Sequence, residues 1–194
     1  MLFQENTYSV LLVSASEKVT SVTLPLLPAT DYYPVVIAHS IREAQRILIG
    51  EGFDLVIINS PLPDDAGLQF AADTCANSDA GVMLMVQSDL YEDTCSKVVP
   101  FGVVTLSKPT TTQMVSHNLR VLCSIRERLR GVKNRQESLE EKMEEIRLVN
   151  RAKLLLIQCL NMTEAEAHRH IQRQAMERHL SKREVAANII RTYQ

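Results

Sequence analysis

The stretch FDLVIINSPLPDDAGL, residues 53–68, decides the fold. Its run DLVIIN (54–59) is apolar at consecutive rather than alternate positions, as a strand buried on both faces of a parallel sheet must be. The SPLPDDAG that follows is dense in Pro, Asp and Gly, the residues of a turn-rich exposed loop. The same kind of run recurs on either side: SVLLV (9–13) and YPVVIA (33–38) before it, GVMLMV (81–86) and VVTL (103–106) after it. Segments of helical periodicity, such as IREAQRILI (41–49), lie between. Five short apolar strands alternating with helices predict a doubly wound α/β domain with a five-stranded parallel sheet over residues 1–118.

From about Thr111 the character changes. With Leu122 at position a of a heptad, the a and d series contains Leu122, Ile125, Leu129, Val132, Leu139, Met143 and Ile146, broken by Gln136. Charged residues fill the other positions, which predicts a long coiled-coil helix over 119–150 and a homodimer through that seam. The alternative is an amphipathic helix folded back on its own domain. Gly131 inside the helix costs about 1 kcal/mol relative to Ala, and the e and g charges do not fix strand direction. Past Asn161-Met162 the periodicity restarts twice. Thr163 with Glu166, and Ser181 with Glu184, have the spacing of capping boxes. The last part, 147–194, therefore reads as a small domain of three short helices.

Charge divides the chain in the same place. Residues 1–110 hold 5 Lys/Arg and 13 Asp/Glu, a net −8, whereas 111–194 hold 16 and 10, a net +6. The basic half is the one suited to a polyanion. Hydrophobic content of 45% is that of a globular rather than a disordered chain. The four cysteines, Cys75, Cys95, Cys123 and Cys159, show no CxxC and no metal-ligand spacing, and read as reduced thiols. No apolar run approaches the ~20 residues needed to cross a bilayer. The opening MLFQENTYSV has no basic stretch leading into an apolar one, so a cytoplasmic protein is expected. No metal, cofactor or enzymatic nucleophile–base pair is expected either.

The first domain resembles a response-regulator receiver domain. FDLVIINSPLPDDAGL follows that family's third strand and loop, and LSKP (106–109) its Lys-Pro at the end of strand five. The resemblance implies aspartyl phosphorylation, but the chemistry is missing. The strand-three position is Asn59, neither anionic nor nucleophilic, and the strand-one positions are Ser14 and Ala15, which cannot give Mg²⁺ its carboxylates. The switch Ser/Thr position is read as Val86, and Lys108 alone survives. Asp64 and Asp65 lie in the next loop. A pseudo-receiver is expected, one governed by a regulatory protein or ligand.

The tail resembles the ANTAR domain, a three-helix RNA-binding module of antitermination regulators. Ala152-Lys153, Thr163-Glu164 with Ala167, Ala175-Met176-Glu177-Arg178 and Arg183-Glu184-Val185-Ala186 carry the likeness. Gln172 stands where relatives usually have Arg. The resemblance implies that structured leader RNA is bound, with Arg151, Ala152, Lys153, Arg169, Gln172, Arg173, Arg178, Lys182 and Arg183 as candidate contacts. Ile171, Ala175 and Met176 are read as an apolar stripe. Two readings compete: a DNA-binding helix-turn-helix factor, for which the sequence leaves no room for a recognition helix before Gln194, and a dimeric scaffold without nucleic acid.

Overall fold

The structure is a computed structural model and describes residues 7–193. Residues 1–6, on which the expectation about the N-terminus partly rests, and Gln194 lie outside the described residues. The chain divides into two compact units, 1–131 and 132–194.

In the first unit five parallel strands form one sheet: β1 (Tyr8–Val13), β2 (Tyr32–Ala38), β3 (Leu55–Asn59), β4 (Gly81–Gln87) and β5 (Val104–Lys108). Their order is β2-β1-β3-β4-β5, so the connections reverse direction between β1 and β3. The helices are α1 (Glu17–Thr23), α2 (Ile41–Gly50), α3 (Leu68–Asn77), α4 (Tyr91–Val98) and the opening turns of α5 (Thr112–Leu160). The consecutive apolar run of β3 is explained directly, since all five of its residues are buried. Leu11, Val56, Ile58 and Leu84 meet α2, α3 and α4 on one face; Leu12, Ile57, Met83 and Leu106 meet α1 and α5 on the other.

Local chemistry sets the helix starts. Ser40 accepts from the Glu43 N–H to cap α2, and Gly67 takes φ +79 before α3, where a Cβ would stand 3.1 Å from the Ile58 side chain. Helix α5 opens against the sheet through Val115, Leu119 and Leu122, which share one face at helical spacing. Gly81 allows the close approach: a Cβ there would lie 3.3 Å from the Leu122 Cδ2 and 3.4 Å from its carbonyl oxygen. The Arg126 Nε meets Asp54 Oδ1 at 3.0 Å, while the other carboxylate oxygen accepts from the Ser9 N–H and hydroxyl.

Two expectations change here. Leu122 is 1% exposed within the sheet-facing core, so it is not part of a dimer seam, and Ile125 is half-buried. The first unit accordingly extends to residue 131 rather than ending at 118. The physical reason is that one apolar periodicity serves two purposes along α5. Its early turns bury the stripe against their own sheet, whereas Leu129, Val132, Leu139, Met143 and Ile146 are all exposed.

The second unit packs the end of α5 against α6 (Glu164–Arg178) and α7 (Lys182–Tyr193), the three helices expected. Ala152, Leu156, Ala167, Ile171, Val185, Ala186 and Ile189 form its core. Asn161, at φ +51, turns the chain out of α5. Both capping boxes form: the Thr163 hydroxyl accepts from the Glu166 N–H, and the Glu166 carboxylate accepts from the Thr163 N–H at 2.8 Å. Ser181 and Glu184 repeat the pattern at the start of α7. Among the described residues no helix is long and apolar enough to cross a membrane.

Candidate functional site

Two places collect chemistry, one in each unit. The first lies at the carboxyl ends of the strands, where open α/β sheets gather their ligands. Strand geometry decides which side chains reach it, because alternate residues face alternate sides of the sheet. Asn59 ends β3 and Lys108 ends β5, while Ser14 directly follows β1. The three side chains form a hydrogen-bonded chain. The Asn59 Nδ2 donates to the Ser14 Oγ at 3.2 Å, and the Lys108 Nζ donates to the Asn59 Oδ1 at 2.7 Å. Lys108 also donates to the Ser60 carbonyl. Ser14 is fully buried and Asn59 and Ser60 nearly so. Burial lowers the Lys108 ammonium from its usual pKa.

This arrangement is neutral except for the one cation, and its acceptors are already occupied. It does not fit a Mg²⁺ ion. A hard divalent cation wants carboxylate oxygens, yet Ser14 and Ala15 supply none and the Asn59 amide oxygen is committed to Lys108. The neighbouring acids do not take over. Asp64 accepts from the Ile41 and Arg42 N–H groups at 3.0 Å each, capping α2. That bonding holds its carboxyl below the usual range. Asp65 accepts from the Gly67 N–H. Among the described residues no cluster of three or more His, Cys, Asp or Glu could hold a metal.

Val86 is a correction. It packs into the core on the α2–α3–α4 face together with Leu84. Its neighbour Gln87, paired with Lys108 across β4 and β5, has the strand phase of Met83 and Met85 and so belongs to the pocket face. The apolar run alone could not reveal this one-residue phase, since both faces of β4 are buried.

In the second unit the solvent face of α6 carries Arg169, Gln172 and Arg173, all exposed and spaced at i, i+3 and i+4. Among the described residues the one ion pair of Arg173 is long, 4.0 Å to Glu177. Arg169 and Arg173 also line a groove of about 720 Å³ with Asn161, Glu166 and His170. Arg178 closes α6, Lys182 and Arg183 open α7, and Arg151 lies on α5; all four are exposed. Lys153 is half-buried and pairs with Glu164 at 3.2 Å. Ala152 is a second correction: it has no exposed surface and lies in the three-helix core, so it cannot touch RNA. Met176 leaves the expected apolar stripe, being 77% exposed beside Gln172 and Arg173. Sequence reasoning did not place His170 or Asn161 beside these arginines, because their approach depends on how the turn after α5 packs on α6.

Residues 137–190 match the family model of the ANTAR domain. The match begins within α5 and takes in α6 and most of α7. No curated protein matches the chain. Among solved structures, the signal receiver domain of an HD domain-containing protein from Pseudomonas fluorescens Pf-5 is 22% identical. It covers 70% of this chain and 97% of its own, with a TM-score of 0.57. The NtrC4 receiver domain, in its beryllofluoride-activated dimer, is 25% identical over 62% of this chain and 98% of its own, at 0.53. The chemotaxis response regulator CheY4 of Vibrio cholerae is 19% identical over 60% and 99%, at 0.52. These likenesses show the receiver fold.

Proposed function

We propose that this chain, in which a receiver-fold domain precedes an ANTAR domain, is an RNA-binding regulator of transcription antitermination whose first domain answers to a protein partner or ligand rather than to aspartyl phosphate. One observation carries the reading: the ANTAR match falls on a three-helix unit whose second helix turns Arg169, Gln172 and Arg173 to solvent. Residues 147–194 hold 9 Lys/Arg against 4 Asp/Glu, and guanidinium groups suit phosphates and the edges of unpaired loop bases. The expected target is a hairpin in a transcript leader. The exposed Leu129, Val132, Leu139, Met143 and Ile146 support a homodimer through α5, since a solvated apolar stripe of this length on a helix calls for a partner. In this reading the chain is cytoplasmic and performs no catalysis.

The control by something other than phosphate rests on Asn59, Ser14 and Ala15. An amide at position 59 and the lack of a carboxylate at Ser14 and Ala15 support that reading. The RNA reading is tested by titrating a hairpin leader RNA and a DNA duplex of similar charge across a salt series. Each phosphate contact removed by Arg169→Ala or Arg173→Ala should flatten the logarithmic salt dependence by about 0.7 to 0.9. Gln172→Arg should tighten binding. Equal affinity for duplex DNA, or slopes unmoved by both substitutions, refutes the assignment.

A further inference from the structure

Beside the Ser14–Asn59–Lys108 chain, on the face of the sheet covered by α1 and α5, lies a half-open cavity of about 440 Å³. Its walls are mostly apolar: Val19, Val22 and Leu26 from α1 and the turn after it, Met85 from β4, and Val115 from α5. Its charged groups are of one sign. Lys108 lines it from the end of β5, Lys18 is on α1, and Pro109 to Thr112 lead into the start of α5; no lining residue is acidic. The Lys108 ammonium has three hydrogens, of which the contacts to Asn59 and Ser60 use two. Thr23, on α1, lines the same cavity.

The geometry points to a binding site for a small amphipathic carboxylic acid, its apolar body against Val19, Val22, Leu26 and Met85 and its carboxylate between the Lys18 and Lys108 ammonium groups. Size, apolar walls and a few convergent polar groups are the marks of a small-molecule site. At about 30 Å³ per water-sized group, the cavity holds roughly ten to fifteen non-hydrogen atoms. Two cations with no acid select a monoanion over a cation or a neutral alcohol. The site deepens the proposed control by a ligand, but its occupancy does not depend on whether the tail takes RNA.

The test uses the full chain with ¹³C-methyl methionine, the Met85 resonance being assigned through Met85→Leu. Sodium octanoate should shift the Met85 methyl saturably, with half-saturation between about 10 µM and 1 mM, as roughly ten non-hydrogen atoms allow. Octylamine and octanol should bind at least tenfold more weakly. Lys18→Glu should weaken octanoate at least threefold. Val22→Trp, at a half-exposed position on the rim, should abolish the shift while the Met83 methyl keeps its place and so reports an intact sheet. No saturable shift up to about 5 mM octanoate, an equal response to octylamine or octanol, or full binding by the folded Val22→Trp variant overturns the proposal. None of these readouts involves RNA, so failure here and failure of the RNA-binding reading are told apart.

Discussion

Replacing Lys108 with Met asks whether the surviving lysine is a structural clamp. The substitution removes the donor from two acceptors, the Asn59 Oδ1 at 2.7 Å and the Ser60 carbonyl, and both residues are 5% exposed. Each unsatisfied buried acceptor costs about 1–3 kcal/mol. Against this, the variant no longer holds a half-buried ammonium, whose charged form burial disfavours. The net expectation is a loss of about 2 kcal/mol in the first unit. The sign of the pH dependence follows from the lowered folded-state pKa. Between that value and the usual 10.5, the unfolded chain binds more protons at this group, so the Lys108 contribution to stability rises with pH across the window. The Met variant lacks that rise. Urea unfolding followed by tyrosine fluorescence measures both effects, since Tyr8, Tyr32, Tyr33 and Tyr91 all lie in the first unit. A change below about 0.5 kcal/mol, or an unaltered pH slope, refutes the clamp.

Incubation with acetyl phosphate and Mg²⁺ should leave the intact mass unchanged, and Asn59→Asp should behave the same way because Ser14 and Ala15 still provide no metal site; a stoichiometric gain of one phosphoryl group in the native chain would overturn the pseudo-receiver reading. The double variant Leu129→Lys with Leu139→Lys should sediment as a monomer with its sheet intact, whereas Leu122→Lys should unfold the first unit. A dimer mass unchanged in the double variant would place the interface elsewhere. The capping carboxylates of Glu166 and Glu184 are held below their usual 4.5 by hydrogen bonds from the Thr163 and Ser181 backbones. Their contribution is therefore full above pH 4.5 and fades as pH falls below it. Glu166→Gln with Glu184→Gln should flatten that acid dependence in helix melts followed by circular dichroism, and a melting curve equally acid-sensitive in both proteins would argue against the boxes.

The fold was legible because each of its signals was local. Residues 54–59 could be read as a doubly covered strand from composition alone, and Thr163 and Ser181 announced helix starts three residues ahead of their glutamates. What escaped the sequence depended on packing partners. Val86 and Gln87 differ by one residue along a strand buried on both sides, so only the register with β5 shows which of them faces the pocket. Leu122 and Leu129 occupy the same heptad position, yet one meets Gly81 of the sheet and the other meets solvent. Met176 follows Ala175 in an apolar pair, but a helix turns 100° between them. In each case the pattern gave the period of the element and tertiary contact chose its phase.

The hydrogen-bonded Ser14, Asn59 and Lys108 lock one another in place. Asn and Asp are close chemical relatives, so Asn59→Asp alone is a small step. Its product is a carboxylate resting against Lys108, with no divalent ion to activate it and no gain for selection to keep. Taking the steps in the other order puts an acid at Ser14, a side chain with no solvent exposure whose oxygen already serves the Asn59 amide. That step costs stability before any benefit arrives. An acid at position 59 or at position 14 alone therefore supplies no metal site.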